Sequence, residues 1–352
     1  MNRTCLYKGR GAVSNPDSRY NATHHEPIDG ISENWDSKSA PRTEVSLETP
    51  RTIISRNRSP DLPFDQSLNP YRGCEHGCIY CYARPTHAYL NLSPGLDFET
   101  KLTAKPEAAK LLRSELQAPG YRCSPIALGS NTDPYQPIER RYRITRQILE
   151  VLCEFNHPLT ITTKSSLVER DLDILAPMAQ KGLVQVYISL TTLQPELART
   201  LEPRATAPHR RLETIANLRE ARVPVGVLVA PVIPVLTEAE LESILKAASA
   251  AGAQTAGYVL LRLPQEVALL FEEWLNTHFP HQAKHVLSRI RAVRKGEWDD
   301  PRFGYRMRGE GVFADLIGQR FRLAARRLKL DQPLPPLEVE RFRSHPQQLE
   351  LF

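Results

Sequence analysis

The sequence predicts an α/β protein built on a parallel sheet, and three observations carry that prediction. Val/Ile/Leu-rich runs recur through the middle of the chain, each is followed by one amphipathic segment of helical period, and turn residues separate them. Right-handed crossovers wind such units into a barrel or a doubly wound sheet, and in both the ligand gathers at the carboxyl ends of the strands.

The units follow in order. A strand near 64–68 leads into a cysteine-rich loop, and a helix from about Pro106 to Gln117 starts with a proline where the first turn tolerates one. "PIALGS" (125–130) reads as a buried strand and "IERRYRITRQILEVLCEF" as the helix after it. "PLTITTKS" (158–165) is the next strand, with a helix from Arg170 to Gln180 stopped at Gly182. "VQVYISLTT" (184–192), "VPVGVLVAPVIP" (223–234) and "TAGYVLLRLP" (255–264) continue the series, with helices near 208–221, 237–251 and 266–279 between and after them. That makes about six β-α units over residues 61–265, followed by a helical, basic carboxyl extension over 266–352. Residues 1–60 are rich in Ser, Asn, Asp and Pro without periodicity and predict a mostly disordered arm, although "GRGAVSNPDSRY" leaves docking open.

Of 352 residues, 41% are hydrophobic and 24% charged, the balance of a globular enzyme. The start "MNRTCLYKGRG" has no apolar core of a secretory signal. The longest apolar run, Val223 to Leu236, contains three prolines and is too short to span a bilayer. The expectation is a cytoplasmic protein without a membrane partner. The net charge of +6 arises wholly after position 280: His281 to Phe352 holds 15 Lys and Arg against 9 Asp and Glu. "QRFRLAARRLKL" predicts Arg322, Arg326 and Lys329 on one helix face, either a solvated surface or a track for phosphates.

The sharpest feature is "NPYRGCEHGCIYCYARP", which sets Cys74, Cys78 and Cys81 within eight residues. In a reducing compartment such spacing means metal. A zinc site completed by His76 or a distant residue would make this a metal-stabilised binding module, but no second ligand pair exists, since Cys5, Cys123 and Cys153 stand alone. A disulfide leaves an odd thiol. An iron–sulfur cluster held by three thiolates leaves one iron open to chelate a small molecule.

C-x-x-x-C-x-x-C with an aromatic before the last cysteine, in the loop after the first strand, resembles the radical S-adenosylmethionine (SAM) enzymes. With "GSNTDPYQPIER" and "ITTKS" added, residues 60–265 look like the branch related to spore photoproduct lyase. The resemblance implies a partial (β/α)6 TIM-like barrel in which Cys74, Cys78 and Cys81 ligate a [4Fe-4S] cluster and SAM chelates the open iron. It implies reductive cleavage of SAM to a 5′-deoxyadenosyl radical that abstracts hydrogen from a substrate, with a one-electron donor of flavodoxin or ferredoxin type as partner. Tyr80 is placed to line the adenine pocket. The Gly-Gly-Glu run of many relatives is absent after the second strand, so the SAM amino group falls to Asp133 or to Ser130 and Asn131. Lys164 would pair with the SAM carboxylate, Ser189 with a ribose hydroxyl, and the backbone near Ala230 and Pro231 with the adenine. The lyases keep a cysteine beside the second-strand motif, whereas "LGSNTD" has none; Cys123 lies at the strand's other end, and Tyr82 or Tyr135 would have to relay hydrogen. A nucleic-acid base, a peptide and a small metabolite stay open as substrate. Oligomeric state is not legible.

Overall fold

The computed structural model describes residues 7–21 and 41–345. Segments such as Leu159–Thr163 and Val184–Ser189 alternate β-branched and apolar side chains between short turn signals, which suits a sheet covered on both faces. In chain order the strands are β1 (Glu44–Leu47), β2 (Ile54–Arg56), β3 (Gln66–Leu68), β4 (Tyr71–Arg72), β5 (Lys101–Ala104), β6 (Ile126–Leu128), β7 (Leu159–Thr163), β8 (Val184–Ser189), β9 (Val225–Val232) and β10 (Thr255–Leu260). The helices are α1 (Asp97–Thr100), α2 (Ala108–Gln117), α3 (Glu139–Tyr142), α4 (Ile144–Glu154), α5 (Leu172–Gln180), α6 (Pro195–Leu201), α7 (Pro208–Glu220), α8 (Leu241–Ala250), α9 (Glu266–His278), α10 (Ala283–Ala292) and α11 (Val312–Arg327).

Six strands, β3, β6, β7, β8, β9 and β10, lie parallel in that order, with β2 antiparallel on the β3 edge. This is the (β/α)6 order, left open between β10 and β2. A second sheet, β1-β5-β4, braces the cysteine loop. The core runs between strands and helices, through Ile161, Val186, Ile188, Val225 and Val227 from the sheet and Ile148, Leu152, Leu175, Ile215 and Leu245 from the helices. Burying each such side chain contributes roughly 1.5–3 kcal/mol.

Three sequence expectations change. Residues 1–6 and 22–40 lie outside the described residues, but 7–21 and 41–60 are packed rather than loose: Arg10, Gly11, Ala12, Val13 and Ser18 are buried, and β1 and β2 join sheets. The helix read through 138–155 is two helices, because Arg143 takes a left-handed conformation (φ 52°). The buried Glu139 carboxylate enforces the break by accepting from the Thr145 amide (3.0 Å), which caps α4, and from Arg170 Nη2 (2.7 Å). Lys329 lies past the end of α11 with φ 57°, so it does not share a face with Arg322 and Arg326. That helix packs on α8 and β10 as an outer cover, and its Arg320 pairs with Glu242.

At the amino ends of the strands, His157 is fully buried. Its Nδ1 donates to the Pro158 carbonyl (2.9 Å), its Nε2 lies 2.7 Å from the Tyr121 hydroxyl, whose one proton is shared with Gln66 Oε1 (2.8 Å), and Phe342 closes over both rings. Burial pushes His157 down to about 4. An unfolded chain protonates histidine near pH 6.5, so between there and 4 the unfolded state binds the extra proton and the fold loses stability as pH falls. Thermal unfolding should therefore show a midpoint that drops from pH 7 to 4.5, with this group removing up to about 1.4 kcal/mol of stability per pH unit. His157→Asn should be less stable at pH 7 yet show a shallower pH dependence, and an unchanged slope would exclude His157 as its source.

Candidate active site

The cysteine loop leaves β4 and has no ladder to satisfy its backbone, so side chains do it. Arg84 is completely buried and donates to the carbonyls of Cys78 (2.9 Å), Gly77 (3.2 Å), Pro94 (3.0 Å) and Gly95 (2.9 Å). Its remaining charge meets Glu99, also completely buried, at 2.5 Å. Glu99 in turn accepts from the amides of Gly11 (3.0 Å) and Ala12 (2.9 Å), which straps the amino-terminal segment across the loop. The approach is so close that a Cβ on Gly11 would fall 1.9 Å from the Gly77 carbonyl oxygen. Gly77 itself has φ +66°, in the left-handed region that favours glycine.

Three cysteine thiols are thus presented on a clamped loop, two buried and one half-buried. Burial pushes Cys78 up to about 12 and raises Cys74 and Cys81 as well, so thiolates there need a bound metal cation to stabilise them. His76, the candidate fourth zinc ligand, turns Nδ1 toward Asp133 (3.3 Å). Among the described residues no three His, Cys, Asp or Glu side chains close around one ion. Three thiols with no fourth protein ligand fit the corners of a cluster whose last iron is left to a small molecule.

Tyr80, Lys164, Ser189 and Ala230 come from the cysteine loop and from strands β7, β8 and β9, and the structure brings them together. Lys164 Nζ donates to Ser189 Oγ (2.7 Å), lies 3.4 Å from the Ala230 carbonyl oxygen, and sits 5.9 Å from the Tyr80 ring centre. Ser189 Oγ reaches the same carbonyl at 3.1 Å. The sequence reading missed the group that organises them. Glu202, at the end of α6, accepts from the Tyr80 hydroxyl, from Thr191 (2.7 Å) and from Arg211, with Lys164 at 3.9 Å. Burial works against its charge, but Arg211 and Lys164 outweigh that and hold Glu202 at about 2. Arg211 also donates to the Ser189 carbonyl (3.0 Å), fixing the end of β8. No local motif marks Glu202 or Arg211; they matter through partners distant in sequence.

Asp133 differs from expectation. Its Oδ1 accepts from the Tyr135 amide (2.9 Å) and Thr163 Oγ1 (2.7 Å), and its Oδ2 from the Lys164 amide (2.7 Å), with His76 at 3.3 Å. Four contacts use a carboxylate's acceptor capacity. Burial pushes its pKa up, but the His76 contact and these bonds bring it below the usual range. Asp133 is a clamp between the second- and third-strand loops. Asn131's side-chain amide makes no hydrogen bond among the described residues, and Ser130 Oγ accepts from Asn69 (3.2 Å).

Tyr82 follows Cys81 and donates its hydroxyl to the Ser130 carbonyl. Its ring is 47% exposed, with the Arg262 guanidinium 5.2 Å from its centre. Burial and the Cys81 thiol push this phenol up to about 12 against the pull of Arg262 and Arg306. It walls the mouth. Tyr135 does not: it is buried near Arg170 and Asp171. Cys123 precedes β6 and lies at the opposite end.

The sequence pattern of the Radical SAM superfamily matches residues 68–248. An uncharacterised protein of Mycobacterium tuberculosis is 40% identical over 278 residues, 78% of each chain. A radical SAM Nalpha-GlyT isomerase of Pseudomonas phage M6 is 27% identical over 189 residues, 52% of this chain and 36% of that one. Among solved structures, a spore photoproduct lyase variant superposes with TM-score 0.57 at 14% identity over 87% of this chain and 86% of that one. Another, with bound AdoMet and dinucleoside spore photoproduct, gives 0.56 at 15% identity over 81% and 79%. Thiols, strand order and fold define an iron–sulfur barrel enzyme. The chain belongs to the Radical SAM superfamily, whose enzymes work with a [4Fe-4S] cluster and SAM. The zinc-module reading gives way to it.

Two outcomes test these contacts. Gly11→Val, which cannot be accommodated against Gly77, should lower iron per chain after anaerobic reconstitution and speed bleaching of the visible cluster absorption in air, whereas Lys8→Ala should not. Lys164→Ala should weaken SAM binding about tenfold or more, the effect of losing one charge-assisted contact, as read by equilibrium dialysis.

Proposed function

We propose that this enzyme takes hydrogen from a base in nucleic acid. When bound and reduced by one electron, the cluster and SAM supply a 5′-deoxyadenosyl radical. Cys74, Cys78 and Cys81 hold three irons on the loop clamped by Arg84. Lys164 pairs with the SAM carboxylate, Ser130 and Asn131 take its amino group, Ser189 takes a ribose hydroxyl, and Tyr80 with the Ala230 backbone bounds the adenine. Glu202 keeps Tyr80 and Lys164 in place and keeps water from pairing with them. A flavodoxin- or ferredoxin-type protein donates the electron, in a reducing cytoplasm. Among the described residues no helix is long and apolar enough to cross a membrane.

The observation that carries the substrate class is the wall of the mouth: Tyr82, an exposed ring beside the cysteine loop, under the Arg262 guanidinium. A flat apolar face paired with a cation suits a base and its phosphate better than an apolar peptide side chain. The dinucleoside bound in a spore photoproduct lyase of the same fold supports this reading. The absence of a thiol in the 129–133 loop separates the chemistry from a lyase that needs one there.

Anaerobic, reduced protein should release 5′-deoxyadenosine from SAM slowly by itself and several-fold faster with the right nucleic acid, and digestion should reveal a base of altered mass. Cys78→Ala should abolish both the release and the cluster absorption. Release unaffected by any DNA or RNA tested would point to a peptide or small metabolite.

A further inference from the structure

The segment between α10 and α11 lies along the carboxyl end of β10, at the open side of the barrel. Leu260 donates its amide to Met307 (2.8 Å) and Leu263 to Trp298 (3.0 Å). Arg294, almost wholly buried, ties the turn down by donating to the carbonyls of Leu260 (2.6 Å), Leu261 (3.0 Å) and Tyr305 (2.9 Å). The sequence held there, "PRFGYRMR", interleaves aromatic rings with arginines. Phe303 and Tyr305 are 55% and 43% exposed although the backbone beneath them is fixed. Arg306 lies 5.1 Å from the Phe303 ring and Arg302 4.5 Å from the Tyr305 ring. Asp299, which opens this turn, lies 3.9 Å from Arg262, whose guanidinium stands 5.2 Å from the Tyr82 ring centre, which places the turn beside the mouth.

Between the turn and the mouth stands Arg262. Its guanidinium has no hydrogen bond among the described residues, and its ion-pair partner there, Asp299, is 3.9 Å away. A half-buried guanidinium with its donors unused is a site for an anion. Of the turn's three arginines, Arg302 is offset by Asp300 and Glu310 and Arg306 by Asp61, which leaves Arg308 without an ion pair among the described residues, so the turn offers flat rings more than net charge. That balance disfavours a general polyanion surface. It favours a ligand bound by its faces and anchored at one charge.

We propose that Phe303 and Tyr305 form a stacking shelf for unpaired nucleic-acid bases, and that Arg262 anchors the phosphate of the nucleotide entering the mouth. The proposal rests on the nucleic-acid reading above and narrows it to a single strand or a flipped-out base, since a paired base offers no free face. It moves the contact surface from α11, where the basic sequence pattern pointed, to a turn that the sequence pattern did not single out.

The test is fluorescence anisotropy of the reconstituted holoenzyme with SAM, using a labelled oligothymidylate, an abasic oligonucleotide of equal length and a duplex, at two salt concentrations. Wild type should prefer the oligothymidylate over both controls. A Phe303→Ala/Tyr305→Ala double variant with an unchanged unfolding midpoint should lose about tenfold or more in affinity for it, and little for the abasic strand. Arg262→Gln should weaken both strands and reduce the log–log salt slope by about 0.7, while Arg262→Lys restores the slope. An Arg322→Ala/Arg326→Ala variant should bind like wild type. Equal wild-type affinity for thymidylate and abasic strands, or wild-type binding by the shelf variants, would overturn the shelf alone, provided nucleic acid still accelerates 5′-deoxyadenosine release. No binding to any nucleic acid and no acceleration would overturn the nucleic-acid reading with it.

Discussion

The buried ion pair between Arg84 and Glu99 is the constraint on which the site rests. Both side chains are fully removed from solvent, 2.5 Å apart. Burying two charges is costly, and mutual attraction compensates only when their remaining donors and acceptors are also satisfied. Here they are: the guanidinium reaches four loop carbonyls and the carboxylate two amides of the amino-terminal strap. The cysteine loop is irregular where it presents three thiols within eight residues, which leaves its carbonyls without a ladder. Arginine supplies the missing donors in a fixed planar array, which lysine would not. The amino-terminal segment is therefore structural, because the carboxylate beneath the loop needs its amides.

A second buried pair, Glu202 with Arg211, does similar work on the facing wall. It gathers groups from the ends of β8 and α6 and the start of α7, and it holds Lys164 and Tyr80 near each other without spending the lysine's charge on a tight bridge: the Lys164–Glu202 separation is 3.9 Å. A loosely held, half-buried ammonium remains able to meet a carboxylate from outside. Parallel strand order is what permits this, since every strand delivers its following loop to the same end of the sheet.

The open edge beyond β10 sets the limits of the mouth. A closed barrel would admit only a small ligand, whereas here the gap is bordered by Tyr82, Arg262 and the turn fixed by Arg294. Radical chemistry needs a dry interior, and substrates attached to long chains need an opening. The tied-down turn leaves its rings outward, as the proposed polymeric substrate would require.

Much of this was legible in sequence, for physical reasons. Strand and helix order follow from hydrophobic period, and the cysteine spacing of 74, 78 and 81 is local, so both survive without tertiary information. Tyr80, Lys164, Ser189 and Ala230 could be singled out, and do lie together, because each sits at a strand's carboxyl end or beside a thiol, positions that chain order alone specifies. What failed depended on contacts between remote segments. Asp133 looked free until the amides of Tyr135 and Lys164 and the hydroxyl of Thr163 filled its acceptors. The amino-terminal segment looked disordered because it has no periodicity; its order comes from Glu99, which lies 88 residues beyond Gly11. Local chemistry singled out the three cysteines and the residues around Lys164; only folding, by deciding which charges had to be buried together, determined what holds them in place.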